Sequence, residues 1–325
     1  MDCETDFGWH GGAPILTLAP LLIKNHGRIG YVSLPFPAQP VFGARAHDIA
    51  DGVTPGELAA QAAEVGISRL QLALMKSYPK VAKAEQLNQG LGEQFRSALA
   101  EHGVTIAIFS CYLNLIHPDA DKRHENLNTF KAYLRNAPAF GARLVVSETG
   151  SMLPGLGYTL DNFTEPAYRT IVEAVKELCY EASHYGVLVG IEPGLNHPIY
   201  NLETTKALID DVGSPDLRIV LDPFNLLQTE AAGGSPETDP ANYLKLLEKA
   251  FDLFGDKIEV IQLKDFVIDQ TGTTPNGVRD VPIGTGLLPG KEVVELIWNR
   301  KPGIDIIFEG TPKAQIPAAI SSLIG

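Results

Sequence analysis

From about Val41 onward, short runs of four or five aliphatic residues recur along the chain, separated by stretches in which apolar positions fall three and four apart. Runs of that length, apolar at successive positions, predict strands buried on both faces, and the intervening spacing predicts helices. Eight strands are expected: Val41–His47, Ser68–Leu74, Thr105–Cys111, Arg143–Ser147, Val187–Glu192, Leu217–Asp222, Ile258–Leu263 and Ile304–Glu309. Helix punctuation lies between them. Thr54-Pro-Gly-Glu57 reads as a capping box with Pro at the first helical position, in a helix ending at Gly66. Gly103, Gly141 and Gly186 stand just before the third, fourth and fifth strands, where a helix must stop and the chain reverse. Eight such units imply closure into an α/β fold, a single-domain (β/α)8 TIM barrel over residues 41–325.

Two segments break the rhythm. Residues 1–40 form an N-terminal extension of unassigned role, whose tail Pro35-Phe-Pro-Ala-Gln-Pro40 reads as a linker or a plug at the barrel bottom. Thr229 to Asn242 follows the sixth strand on the expected active rim; its Gly, Pro and acidic residues suit either a lid or a solvated surface loop.

Polar groups begin where four of the apolar runs stop. Val187-Leu-Val-Gly-Ile-Glu192, Leu217-Arg-Ile-Val-Leu-Asp222, Ile258-Glu-Val-Ile-Gln262 and Ile304-Asp-Ile-Ile-Phe-Glu309 each end in a residue able to bind a metal or move a proton. Carboxyl ends of barrel strands carry the chemistry in such folds, so Glu192, Asp222, Gln262 and Glu309 are expected on one rim as an oxygen-rich cluster. One strand-end acid ordinarily satisfies loop amides or caps the next helix. Acids at the ends of successive strands are another matter, because packed carboxylates repel unless a cation or a shared proton compensates.

Further candidates lie on the same rim. Lys264-Asp265 supplies either an ammonium for substrate oxygens or a rim ion pair. His197, on the loop after Glu192, could hydrogen-bond a hydroxyl or be structural. Arg45 and His47 end the first strand, facing the mouth or pairing with neighbouring strands. Glu148 ends the fourth strand, to support the cluster from behind or to stabilise a loop. His117, after the third strand, is a further candidate for substrate contact, whereas Cys111 reads as a buried core residue. Pro282-Ile-Gly-Thr-Gly286 has the form of a backbone nest for an anion.

Composition narrows the partners. A chain of 325 residues with 45% hydrophobic content can bury one such barrel, and its net charge of −13 opposes nucleic acid and anionic membranes. Only Cys3, Cys111 and Cys179 occur, odd in number and without a CxxC pair, which fits a reducing cytoplasm better than a disulfide framework or a thiolate zinc site. The apolar stretch Ala13 to Ile23 is too short to span a bilayer, and the acidic residues ahead of it do not read as an export signal. Assembly as a homo-oligomer is compatible with all of this.

Taken together and in order, Ile191-Glu-Pro193, Leu221-Asp-Pro-Phe-Asn225, Gln262-Leu-Lys-Asp265, Pro282-Ile-Gly-Thr-Gly286 and Phe308-Glu-Gly310 make the chain resemble the sugar-phosphate isomerase/epimerase superfamily. These are the xylose isomerase-like barrels, which include ketose 3-epimerases, hydroxypyruvate isomerases, inosose dehydratases and abasic-site endonucleases; the resemblance runs from about Val41 to Gly325. It implies a divalent cation held by Glu192, Asp222, Gln262 and Glu309, with Glu192 and Glu309 exchanging protons on either face of an enediolate. Gln262 stands where the family has His, and Asn225 where many relatives have His. A carbonyl oxygen in place of a ring nitrogen favours Mn²⁺ or Mg²⁺ over Zn²⁺. The implied activity is a metal-dependent isomerase or epimerase of a small ketose or polyol-derived carbonyl compound, with Asn225, Lys264, Arg45, His197 and His117 as substrate contacts. An inosose-type dehydratase and a non-catalytic sugar-binding barrel are the alternatives. The endonuclease reading is disfavoured, because its three-metal site needs further His ligands and the net charge opposes DNA.

Overall fold

The computed structural model describes residues 40–324, together with the backbone of Ile23–Asn25 and Arg28–Gly30, which pair as a short antiparallel hairpin. The expectation of a linker or plug within residues 1–40 otherwise lies outside the described residues. Eight parallel strands close a barrel: β1 Val41–Arg45, β2 Arg69–Leu72, β3 Thr105–Ser110, β4 Leu144–Glu148, β5 Leu188–Glu192, β6 Leu217–Leu221, β7 Ile258–Leu263 and β8 Asp305–Phe308. Closure is made by β8, which pairs with β7 on one side and β1 on the other.

Each expected strand is present, and the differences lie at the ends. β1 stops at Arg45 because Ala46–Ile49 coils into a helical turn, which takes His47 off the strand. β2 ends at Leu72, since Leu74–Ser77 already turns as a helix. Asp222 and Glu309 lie one residue beyond their paired strands. Asp222 instead caps the next turn, its Oδ1 accepting from Phe224 N at 3.0 Å.

Helices pack outside the strands because their apolar positions form single stripes. Glu165–Ser183 buries Ala167, Ile171, Val172, Ala174, Val175, Leu178, Cys179 and Ala182, the spacing of one helix face. The capping box forms as expected: Thr54 Oγ1 accepts from Glu57 N at 3.3 Å while Glu57 Oε2 accepts from Thr54 N at 2.8 Å. Gly66, Gly103, Gly141 and Gly186 all adopt positive φ where helices end. Among the described residues, no helix is long and apolar enough to cross a membrane.

Inside the barrel, Ile108, Leu144, Val146, Val220, Val260 and Ile307 form a separate apolar cluster. It packs tightly enough to need glycine in β1. A Cβ at Gly43 would lie 2.3 Å from Ile307 Cδ1 and 2.6 Å from the Arg69 carbonyl oxygen.

Beyond β7 the chain forms an antiparallel hairpin of Asp265–Ile268 and Val278–Val281. It grips the 229–242 segment through a 3.0 Å bond from Thr229 N to the Asn276 carbonyl, and Gln228 N bonds the Thr238 carbonyl at 2.8 Å. Much of that segment is exposed, yet these bonds tie it down at Thr229 and Thr238.

Substituting Gly43 by alanine should overpack the barrel interior and cost about 1–3 kcal/mol. The expected signature is a lower urea midpoint with an unchanged m-value.

Candidate active site

The four strand-end groups converge as buried neighbours: Glu192, Asp222, Gln262 and Glu309 are all at most 5% exposed. Lys264, two residues after Gln262, projects among them. Its Nζ ion-pairs with Asp222, lies 2.8 Å from Glu309 Oε2 and donates to Asn225 Oδ1 at 3.2 Å. Arg45 approaches the same Glu309 oxygen at 3.6 Å while its guanidinium grips Asp48 at 2.7 and 3.0 Å. Gln262 turns its amide nitrogen to Glu309 Oε1 at 2.7 Å and to Gln71 Oε1 at 3.1 Å. Its own Oε1 is buried without a protein partner.

A closed ring of hydrogen bonds joins the two glutamates. On one side it runs from Gln71 Nε2 to the Tyr112 hydroxyl at 3.2 Å, and from that hydroxyl to Glu192 Oε2 at 2.5 Å. On the other, Asn225 Nδ2 donates to Glu192 Oε1 at 2.8 Å while its oxygen accepts from Lys264. Gln71 and Tyr112 were not expected as site residues. The available signals were a lone Gln between Leu70 and Leu72, and an aromatic hydroxyl immediately after Cys111.

Burial and neighbouring charge set the protonation of this cluster. Burial pushes the Glu192 carboxyl well above its usual range, Glu309 and Glu148 push the same way, and Lys264 offsets only part. Burial also opposes ionisation of Glu309, but Lys264 and then Arg45 outweigh it and hold that carboxyl below its usual range. Asp222 is pushed up to about 6, chiefly by burial and against Lys264. For Lys264, burial opposes the charge, yet Asp222, Glu309 and Glu192 raise the ammonium above its ordinary value. Burial raises the Tyr112 phenol well above its usual range, with Glu192 and Glu309 pushing the same way, and its hydroxyl donates to Glu192. One rim thus holds a carboxyl biased towards its protonated form at Glu192, one biased towards its ionised form at Glu309 and an ammonium at Lys264, the makings of an acid, a base and a cation within one network.

His197 is buried behind the cluster, its Nδ1 at 2.8 Å from the Gly150 carbonyl and its Nε2 at 3.5 Å from Glu148 Oε2. Burial disfavours its charge, but Glu148 and the Gly150 carbonyl together outweigh it and its pKa is raised. Glu148 in turn lies opposite Glu192 in the β4–β5 register. His117 is elsewhere engaged: its Nδ1 accepts from Asp119 N at 3.1 Å, next to the helix Ala120–Asn136, and no hydrogen bond joins it to the cluster. Cys111 is fully buried and its thiol is pushed up by burial.

The anion expected in the 282–286 nest is the protein's own. Asp265 Oδ2 accepts from Gly284 N at 2.9 Å and Gly286 N at 2.8 Å, and its Oδ1 from Phe266 N at 2.7 Å and Leu288 N at 2.8 Å. Lys264 and Asp265 therefore do not pair with each other; one faces the carboxylates and the other ties down the loop.

A divalent cation does not fit the donor set as arranged. The Lys264 ammonium touches Asp222 and Glu309, and Gln262 presents N–H rather than oxygen to Glu309. Among the described residues, no group of three or more His, Cys, Asp or Glu side chains is arranged to hold a metal.

The family model described as xylose isomerase-like TIM barrel matches residues 59–324. No curated protein matches the sequence. Among solved structures, a probable 3-DHS dehydratase from Bacillus anthracis superposes with a TM-score of 0.65 at 16% identity, covering 86% of this chain and 97% of its own. A 3-keto-D-glucoside 4-epimerase from E. coli gives 0.64 at 15% identity, with 87% and 98% covered. A xylose isomerase-like barrel protein from Mycobacterium smegmatis in complex with magnesium gives 0.63 at 17% identity, with 88% and 97% covered. At these identities the likeness carries the fold alone.

Replacing Asp265 by alanine should leave buried amides of the 282–288 loop unpaired and destabilise the protein by on the order of 3 kcal/mol. Amide hydrogen exchange at Gly284, Gly286 and Leu288 should accelerate beyond the global change; uniform acceleration across the chain would contradict the anchoring role.

Proposed function

This chain belongs to the xylose isomerase-like TIM barrel family, and from that premise we propose that it is an isomerase or epimerase of a small ketose or polyol-derived carbonyl compound, moving a proton through an enediolate. The observation that carries the reading is the pair Glu192 and Glu309, buried in one network and biased to opposite protonation states. Moving a proton beside a carbonyl needs a base for the carbon, a positive partner for the oxygen, and a second proton donor.

Glu309 takes the proton from the carbon next to the carbonyl; the C–H electron pair becomes the C=C bond, and the carbonyl π pair moves onto oxygen. Lys264 donates a hydrogen bond to that oxygen. Glu192 then delivers its proton: to the same carbon from the opposite face, with the carbonyl re-forming, it gives an epimer; to the former carbonyl carbon, with the proton of the neighbouring hydroxyl passing to the former carbonyl oxygen, it gives an isomer. Exchange with solvent restores both carboxyls. Arg45 and Gln262 hold Glu309 in place, and Tyr112 and Asn225 hold Glu192. Asn225, Lys264 and Arg45 are the substrate contacts this reading uses, with His197 and Glu148 supporting from behind.

The test is a panel of ketoses incubated in deuterated water and followed by mass spectrometry. Deuterium uptake without loss of water is the expected result. Uptake accompanied by loss of water would move the reaction to the dehydratase class, since the same enediolate can expel a β-hydroxyl. Glu309→Gln should lower the exchange rate by roughly 10²–10⁴-fold; a variant that exchanges at the wild-type rate would end the two-glutamate mechanism.

The pH profile follows from the same two carboxyls. The base is active only when ionised, so activity is lost as pH falls through the depressed Glu309 value. The acid is active only when protonated, so activity is lost as pH rises through the elevated Glu192 value. A plateau of kcat/KM bounded on both sides is therefore expected, and a profile with one limb across the stable range would show that the second carboxyl takes no part.

A further inference from the structure

We propose that Lys264 stands in this barrel where a divalent cation would otherwise sit, so that the proton transfer runs without a metal ion. The inference rests on the reading of the previous subsection for the reaction, and on geometry alone for the cation. Every carboxylate oxygen that could ligate a metal already has a donor. Asp222 Oδ1 accepts from Phe224 N and its Oδ2 from Lys264. Glu309 Oε1 accepts from Gln262 and its Oε2 from Lys264. Glu192 Oε1 accepts from Asn225 and its Oε2 from Tyr112. The remaining oxygen of the expected set, Gln262 Oε1, is the only one of them without a protein donor.

The ammonium is held as firmly as it holds others. An ammonium has three N–H donors, and Asp222, Glu309 and Asn225 supply an acceptor for each. The Phe224 ring lies below it, 5.4 Å from Nζ to the centroid. Hard divalent ions bind oxygen at about 2.0–2.6 Å, so an ion shared by Asp222 Oδ2 and Glu309 Oε2 would need the space that Nζ fills between the same atoms. A metal and the ammonium exclude each other there.

Chemically the substitution keeps a positive charge beside the developing oxyanion and removes the need to load an ion. The contact to Asn225 is the longest of the three and its acceptor is neutral, so it is the one that a substrate oxygen replaces. Gln262, freed from ligation, serves as the donor that orients Glu309.

The experiment is a Mn²⁺ titration of the purified full chain by electron paramagnetic resonance, alongside deuterium exchange with and without a chelator. The wild type should show no stoichiometric Mn²⁺ binding at micromolar metal, and any exchange it catalyses should survive chelation unchanged. Lys264→Met should expose the all-oxygen set of Glu192, Asp222, Gln262 and Glu309 and gain one Mn²⁺ per chain, with Mn²⁺ or Mg²⁺ bound in preference to Zn²⁺. One tightly bound Mn²⁺ in the wild type, lost in Asp222→Asn, would overturn the proposal, as would a folded Lys264→Met that stays metal-free. If Lys264→Met does not fold, the wild-type titration decides. If no carbohydrate exchanges under any condition, the proton-transfer reading fails, while the titration still decides whether Lys264 holds the cation position.

Discussion

Burying Glu192, Asp222 and Glu309 in one network confronts the protein with charges that desolvation and mutual repulsion both disfavour. A single ammonium changes that balance unevenly. Lys264 touches Asp222 and Glu309 directly but reaches Glu192 only through Asn225. Glu309, which also has Arg45 nearby, is biased towards its charged form, and Glu192, with no cation in contact, towards its protonated one. The difference between two chemically identical side chains therefore follows from where Lys264 and Arg45 are placed.

The barrel makes such placement possible. Its interior below the rim is filled by aliphatic residues, so the polar network rests on an apolar floor that offers it no hydrogen-bond partners. Each partner arrives from a different strand end: Arg45 from β1, Gln71 within β2, Tyr112 just past β3, Glu192 on β5, Asp222 past β6, Gln262 on β7 and Glu309 past β8. No local stretch of chain could assemble the ring. Rigidity comes from loops that are themselves hydrogen-bonded, above all the 282–288 loop wrapped on Asp265.

Much of this was legible before any coordinates. Eight apolar runs gave the barrel, because strands buried on both faces leave a signal that few other elements share, and the strand-end groups Glu192, Asp222, Gln262 and Glu309 do meet. What escaped was partner choice. Lys264 and Asp265 are neighbours of opposite charge, and nothing in their order reveals that one enters the carboxylate cluster while the other is consumed by backbone amides. Gln71 and Tyr112 left only faint signals for a related reason: a single polar side chain in or just past an apolar strand acquires meaning only when its partners across the barrel are known. His117, which sequence placed near the substrate, is bound up with Asp119 and Arg123 at the start of a helix, a local arrangement that competes with any role at the rim.

The opposite fates of Lys264 and Asp265 have a consequence for how this part of the chain can change. Successive residues at the end of an extended strand point to opposite sides, so Gln262 and Lys264 enter the cluster while Leu263 and Asp265 point away from it. The sign of the pocket is thus written in parity. Losing one residue at Leu263 would keep the composition almost intact, yet it would withdraw the ammonium and deliver a fourth carboxylate in its place, while stripping the glycine loop of the anion it is folded around. Substitution can tune this site gradually, but a change of length here reverses its charge in a single step.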